Sequence, residues 1–327
     1  MSTKIAWTES TYNPIVGCSK VSEGCKNCYA ERLAASGRLQ QFEQYQKVIT
    51  NGKWNGTTSL VPHILDKPLH WRKPRMIFVS SMGDLFHDSV SFESVLKIIG
   101  IIICTPWHTY QILTKRPERM YDFFACFPDG WFIREGMKFS SFSEEFFALD
   151  SVKGIVSEQQ IEKANIYYKT HYDQSNRGKL DGPVPFPIPN VWLGVTCENQ
   201  RCADERIPTL LQIPAAVRFI SCEPLLEDIN INIHYLNDIK RQGFTGYYDS
   251  GWKEPFQWVI IGCESGPGRR PCKAEWVRNI VAQCKAAGVK IFIKQLDING
   301  VVEHDINKFP EDLKIREYPI EKKTKKI

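Results

Sequence analysis

The chain has little of what would place it in a membrane or a secretory pathway. The apolar stretch VLKIIGIIIC, residues 95–104, is interrupted by Lys97 and falls short of the roughly 20 residues a membrane-spanning helix needs. The start, MSTKIAWTES, has no apolar segment of signal-peptide type. Histidine is scarce at 7 residues, and His87 and His108 stand isolated, so histidine supplies no clear metal set. Excess charge is also slight. The 42 basic and 37 acidic residues leave a net +5, which permits a nucleic-acid partner without demanding one. GCESGPGRRP, residues 262–271, has glycines but not the lysine or spacing of a P-loop. No internal repeat of fixed period is visible. These absences lead to the expectation of a cytoplasmic protein with no membrane partner.

Cysteine, by contrast, is plentiful. The count of 11 is odd, which argues against a complete intramolecular disulfide framework and for free, metal-bound or catalytic thiols in a reducing compartment. Three of them lie in YNPIVGCSKVSEGCKNCYAER, residues 12–32. Cys18 and Cys25 are separated by six residues, and Cys25 and Cys28 by two. Gly17 and Gly24 precede two of these cysteines and allow close backbone approach. Three thiolates from one loop suit an iron–sulfur cube with one iron left open, since full ligation takes four cysteines. Zinc completed by a fourth ligand would use the same loop, and free thiols need no metal. The residues alone leave these three readings open.

The rest of the chain alternates strand and helix. A helix is expected from about Lys26 to Val48 and a loop from Asn51 to Val61. MIFVSS is an apolar strand, followed by a helix in SFESVLKIIGIIIC that Ser91 caps. HTYQILTKRP, NVWLGVTCENQ, AVRFISCEPL, FQWVIIGCESGPG and KIFIKQLD read as further strands. PERMYDFFACF begins a helix at a proline, ADERIPTLLQI is helical with an interruption at Pro208, and AEWVRNIVAQCKAAGVK is a helix that Gly288 stops. Counting a short strand before Pro14, about seven mainly parallel strands are expected, and their C-terminal edge is where such folds build sites. Residues 127–189 and 228–255 break the rhythm and read as insertions in a single domain spanning 1–327. EQQIEKANIYYKTHY within the first insertion is expected to be one helix. A basic tail begins at about residue 318. Cys104, Cys126 and Cys284 lie on apolar helices and read as packing residues. Cys197, Cys222 and Cys263 lie at strand ends, where a catalytic or hydrogen-donating thiol is conceivable.

The cysteine loop, the following helix and the βα units resemble the radical S-adenosylmethionine superfamily, although the usual cysteine spacing there is three and two. The set YNPIVGC-x6-C-x2-CYAE, VSSMGDLF, QILTKRPER, NVWLGVTCENQ, RFISCEPL, WVIIGCESGPGRRP and IFIKQ resembles more closely a phage- and prophage-associated family. Its members are often called three-Cys-motif proteins, were long known only as a domain of unknown function, and are similar to spore photoproduct lyase in the cluster loop. The motifs run from Trp7 to Gln295. Cys263 stands where a second glycine is expected, and Leu296-Asp297 replaces a typical Trp-Gly.

The resemblance implies a partial (β/α) barrel with a [4Fe–4S] cluster on Cys18, Cys25 and Cys28, binding S-adenosyl-L-methionine at the open iron. Tyr29 would lie near the adenine. Ser81, Met82, Gly83 and Asp84 would receive the methionine amino group, with Asp84 accepting from the ammonium. Lys115 and Arg116 could meet a carboxylate or phosphate. Glu198 and Asn199 could bind ribose hydroxyls or the methionine moiety. Glu223, Glu264 and Lys294 would face the same mouth. The competing reading of these charged strand ends is an internal ion-pair network.

The activity implied is electron transfer from the reduced cluster, release of a 5′-deoxyadenosyl radical and hydrogen abstraction from a substrate. An external electron donor is needed. A nucleic acid or nucleotide substrate is suggested by phage association, the mild basic charge, and aromatics beside basic residues in Trp71-Arg72-Lys73 and near Tyr247-Tyr248. The alternatives are a non-catalytic, metal-stabilised binding module working with a partner protein, and a hydrolytic or lyase barrel using Glu198, Glu223 and Glu264.

Overall fold

The computed structural model describes residues 3–125, 152–171, 187–231 and 256–320. Cys126, Tyr247, Tyr248, most of both expected insertions and the tail from residue 321 lie outside the described residues. The chain forms two compact units, Met1–Val21 with Cys28–Leu193 and Ile213–Ala216, and Ser22–Asn27 with Gly194–Gln212 and Val217–Ile327.

In the first unit, β1 (Ser10–Tyr12), β2 (Met76–Val79) and β3 (Thr109–Thr114) pair in parallel, with Tyr12 opposite Val79 and Met76 opposite Thr109. The run MIFV is buried at every position, as a parallel strand covered on both faces should be. Helix α1 (Tyr29–Ala34) follows the cysteine motif. Helix α2 (Phe92–Ile103) starts where the Ser91 hydroxyl accepts from the Ser94 N–H at 3.2 Å. Helix α3 (Pro117–Ala125) opens on proline, which lacks the N–H that a helix start leaves unbonded. Helix α4 (Glu158–His171) forms where one helix is expected in the first insertion. Tyr12, Ile77, Phe86, Ile98, Ile102, Tyr110 and Phe123 make up the buried interior.

Strand β4 (Val191–Thr196) begins in this unit, where the Tyr110 N–H donates to the Asn190 carbonyl at 2.7 Å. Its last three residues belong to the second unit, where the Cys197 N–H reaches the Ser221 carbonyl at 2.9 Å. There, α5 (Gln200–Leu211), β5 (Val217–Cys222), β6 (Trp258–Gly262), α6 (Ala274–Ala287) and β7 (Lys290–Ile298) continue the βα alternation. Strands β5, β6 and β7 are parallel neighbours in that order. A last strand, β8 (Val301–Glu303), turns back antiparallel on β7. Phe219, Trp258, Ile260, Ile280 and Ile293 form the core of this unit. The protein is mixed α/β with mostly parallel strands.

Three local expectations need correction. The helix expected over 26–48 is only α1 plus a single turn at Glu43–Gln46. Gln40 separates them, its amide donating to the Ala34 carbonyl at 2.8 Å and the Tyr45 carbonyl at 3.2 Å. The loop expected over 51–61 contains strand pairing. Ile49–Thr50 pairs with Lys53–Trp54 across Asn51 (φ 52°) and Gly52 (φ 74°), and Ser59–Leu60 pairs with Ile15–Val16. Two successive positive φ values make the tight turn that matches strand twist, and Asn-Gly suits it. Asn299-Gly300 makes the same turn before β8 (φ 50° and 76°). Finally, α5 runs through Pro208. The proline lies close to the helix end and removes a single N–H from the ladder.

Candidate functional site

The cysteine motif enters the first unit against the turn that follows β2. The Gly17 N–H donates to the Met82 carbonyl at 3.0 Å, and Gly17 and Gly83 form a parallel bridge. Gly17 has φ 96°, and a side chain there would strike the Thr57 carbonyl oxygen and Val48. A side chain at Gly83 would lie 2.9 Å from the Gly17 carbonyl oxygen. Both glycines are therefore used for backbone contact. Asn13 fixes the same turn, its side-chain oxygen accepting from the Ser81 hydroxyl at 3.0 Å and the Met82 N–H at 3.3 Å. Tyr29, itself half exposed, donates its hydroxyl to the Ser81 carbonyl at 2.9 Å. Met82 is buried with Val16, Ala30, Ala34, Tyr45 and Val61, and Cys28 packs against that cluster.

Asp84 is buried and satisfied from four sides. Its carboxylate accepts from the Phe86 N–H (3.0 Å), the Thr114 hydroxyl (2.7 Å), the Lys115 N–H (3.3 Å) and Arg116 Nη1 (3.0 Å). Arg116 in turn holds the cysteine motif. Its Nη2 donates to the Ser19 carbonyl at 3.2 Å and the Ser19 hydroxyl at 2.7 Å, and its Nη1 lies 3.7 Å from Cys18 Sγ. Burial opposes the charge on Arg116, but Asp84 and the Cys18 sulfur outweigh it and hold its pKa above the ordinary arginine value.

His87, expected to stand alone, joins this group. Its Nε2 is 2.9 Å from the Ser19 hydroxyl, while its Nδ1 accepts the Ser89 N–H at 3.1 Å. An Nδ1 that accepts a backbone N–H leaves the neutral ring's proton on Nε2. Nε2 therefore donates to Ser19, so this pair is not a serine nucleophile with its base. Burial, followed by Arg116, lowers the His87 pKa and favours that neutral ring. Ser80, beside the named turn residues, holds a positive φ of 58° and is buried. Its hydroxyl has no hydrogen-bond partner among the described residues.

In the second unit, other strand-end acids hold the middle of the same motif. Glu198, fully buried after β4, accepts from the Ser22 hydroxyl and from Arg206 Nη1 at 2.9 Å. Ser22 Oγ is 3.7 Å from Cys25 Sγ. Glu264, after β6, takes the Arg270 fork at 3.0 and 2.5 Å, the Arg270 N–H at 2.8 Å and the Asn27 amide at 2.9 Å. Burial pushes the Glu264 pKa up, but Arg270 and Asn27 outweigh it and hold the carboxyl below its usual value. Glu223 is paired with Lys294. Asn199 is the N-cap of α5, its side-chain oxygen accepting the Cys202 N–H at 2.9 Å. The expected acids are thus all engaged within the chain.

Cysteine exposure separates the motif from the remainder. Cys18, Cys25 and Cys28 are partly exposed, and the other seven described cysteines are buried. Burial raises the Cys222 thiol well above its normal range and pushes Cys104, Cys263, Cys272 and Cys284 up to about 12. The strand-end thiols Cys222 and Cys263 are accordingly held protonated.

Among the described residues no three His, Cys, Asp or Glu side chains converge as ligands of one metal ion. In an iron–sulfur cube each cysteine binds a separate iron. Two features suit the cube among the described residues: partly exposed thiols confined to the motif, and a guanidinium beside Cys18 whose buried Nε–H has no acceptor there. The donor chemistry fits that group. Among the described residues no helix is long and apolar enough to cross a membrane.

No curated protein and no solved structure matches the chain. A family model does match, over residues 2–316. The chain therefore belongs to the DUF5131 family, described as proteins of unknown function.

Proposed function

We propose that this protein is a radical S-adenosylmethionine-type iron–sulfur enzyme, with Cys18, Cys25 and Cys28 holding three irons of a [4Fe–4S] cluster. The observation carrying this reading is that, among the described residues, the partly exposed cysteines are the three of the motif, while Arg116 and the buried Glu198 and Glu264 hold residues between them. The cluster would supply the electron that cleaves S-adenosylmethionine to methionine and a 5′-deoxyadenosyl radical. Asp84, through Arg116, fixes Cys18 and Ser19. Glu198 fixes Ser22, and Glu264 fixes Asn27. With the acids so engaged, the Tyr29 ring and the second lone pairs of the Ser81 and Met82 carbonyls, each of which already accepts one hydrogen bond, would meet the adenine and methionine ends. The strands would curve as a partial barrel around the substrate, in the cytoplasm, with an external electron donor.

A nucleic acid or nucleotide is the substrate class proposed, in keeping with the phage association the motifs suggest. Lys67 and Arg75 lie 5.8 and 5.3 Å from the centre of the Trp71 ring, so Arg72, Lys73 and these two cations make one basic, aromatic surface segment suited to phosphates and bases.

A second reading follows from the engagement of Asp84, Glu198, Glu223 and Glu264. A motif held this completely also suits a non-catalytic, metal-stabilised module that binds a partner protein. Anaerobic reconstitution with iron and sulfide, followed by EPR of the reduced protein with and without S-adenosylmethionine, tests the proposal. A [4Fe–4S]⁺ signal that changes on addition supports it. An indifferent signal sinks the radical reaction and favours the module.

A further inference from the structure

Arg116 is unusual in its surroundings. Its guanidinium is buried, and three of its neighbours fix its position: Asp84 on Nη1, and the Ser19 carbonyl and hydroxyl on Nη2. Ser19 is itself held by His87, whose ring Ser89 orients. The same Nη1 that pairs with Asp84 lies 3.7 Å from Cys18 Sγ, within reach of an N–H to sulfur hydrogen bond. The Nε–H is buried without an acceptor among the described residues. Asp84 alone would neutralise the arginine without turning it toward a cysteine. The two bonds to Ser19, next in sequence to Cys18, give the fork its direction.

From this geometry we infer that Arg116 is a positioning residue for the cluster, donating a hydrogen bond to the sulfur of Cys18 and raising the reduction potential of the iron–sulfur group. The inference rests on the cluster reading above. A hydrogen bond and a fixed positive charge at a ligand sulfur stabilise the reduced form, which carries one more negative charge. Cys28 packs in an apolar cluster instead, so the three ligands differ in surroundings. Lysine cannot reproduce the effect, because an ammonium pairing with Asp84 lacks the planar fork that reaches Ser19 and Cys18 together.

The test is an EPR-monitored redox titration of the reconstituted full chain, comparing wild type, R116K and R116Q, with iron and sulfide content measured on each sample. R116K retains a charge for Asp84, so it decides the question if R116Q does not fold. The expected result is a lower midpoint potential in both variants at wild-type iron content. Loss of iron from a folded R116K, judged by circular dichroism, likewise supports the inference. Equal midpoints at full iron content overturn it. Failure of the cluster reading is seen elsewhere, as wild-type protein that takes up no iron, and the inference then falls with it.

Discussion

Replacing Gly17 by alanine tests whether the cysteine motif is placed by backbone contact. Two costs add. The φ of 96° lies in the region where a side chain is strained, which costs about 1–3 kcal/mol. The new Cβ would also meet the Thr57 carbonyl oxygen and come within 2.7 Å of Val48 Cγ1, and forcing atoms into packed space costs about 1–3 kcal/mol more. Gly52 supplies the control. Its φ of 74° carries strain of the same kind, but nothing lies within 4 Å of an added Cβ. G17A should therefore lose about 2–6 kcal/mol and G52A only the first part, about 1–3 kcal/mol. Urea unfolding followed by both tryptophan fluorescence and circular dichroism gives the comparison. The two probes must coincide for one free energy to be defined. Equal losses in the two variants would refute the argument, because they would mean that the turn relaxes away from Thr57 and Val48.

The remaining predictions concern the charges and thiols. Asp84→Ala leaves Arg116 buried without its carboxylate, and a loss of about 3–5 kcal/mol in urea unfolding is expected; Asp84→Asn, which keeps some hydrogen bonds, should lose less. Glu264 has a depressed folded pKa, so its contribution is present above the unfolded carboxyl value and disappears as pH falls through the lower folded one. Stability of the wild type should then drop faster than that of E264Q as pH falls below about 4.5, the ordinary glutamate value, and parallel curves would contradict the pairing. Brief alkylation of the native, metal-free chain, read by mass spectrometry, should label Cys18, Cys25 and Cys28 ahead of Cys104, Cys263, Cys272 and Cys284, which are buried with thiols pushed up to about 12.

The βα alternation was legible because its signals are local. Four-residue apolar runs such as Met76–Val79, the Ser91 cap and Pro117 at a helix start each act within a few positions. The two Asn-Gly turns were equally local, yet a reading based on composition treats Asn51-Gly52 as loop and overlooks Asn299-Gly300. The overlong helix at 26–48 failed for a different reason. Good helix formers run through Arg38–Gln41, but the Gln40 side chain caps Ala34 and ends α1. At the site, the residue types at strand ends could be read, and their partners could not. Asp84 and Arg116 are 32 positions apart and Asn27 and Glu264 are 237 apart, and no spacing rule joins them. His87 gave no signal at all, since its role depends on Ser19 and Ser89 around it.

These partners explain why strand-end acids and the cysteine motif occur in one chain. Between Gly17 and α1 the motif contains a single short 3₁₀ turn, Glu23–Cys25, so few of its residues are fixed by backbone ladders. Ordering each residue costs about 1–2 kcal/mol, and a hydrogen bond to a charged group returns about 1.5–3 kcal/mol. Ties at Ser19, Ser22 and Asn27 are spaced so that each cysteine lies within three positions of a residue bonded to a buried or partly buried charge. An acid serving this purpose must itself be neutralised, and Arg116, Arg206 and Arg270 do so. Bare carboxylates at these strand ends would be expensive to bury, and carboxylates left for a substrate could not also hold the loop. The charged strand ends of each unit are on this argument the support of the cysteine motif.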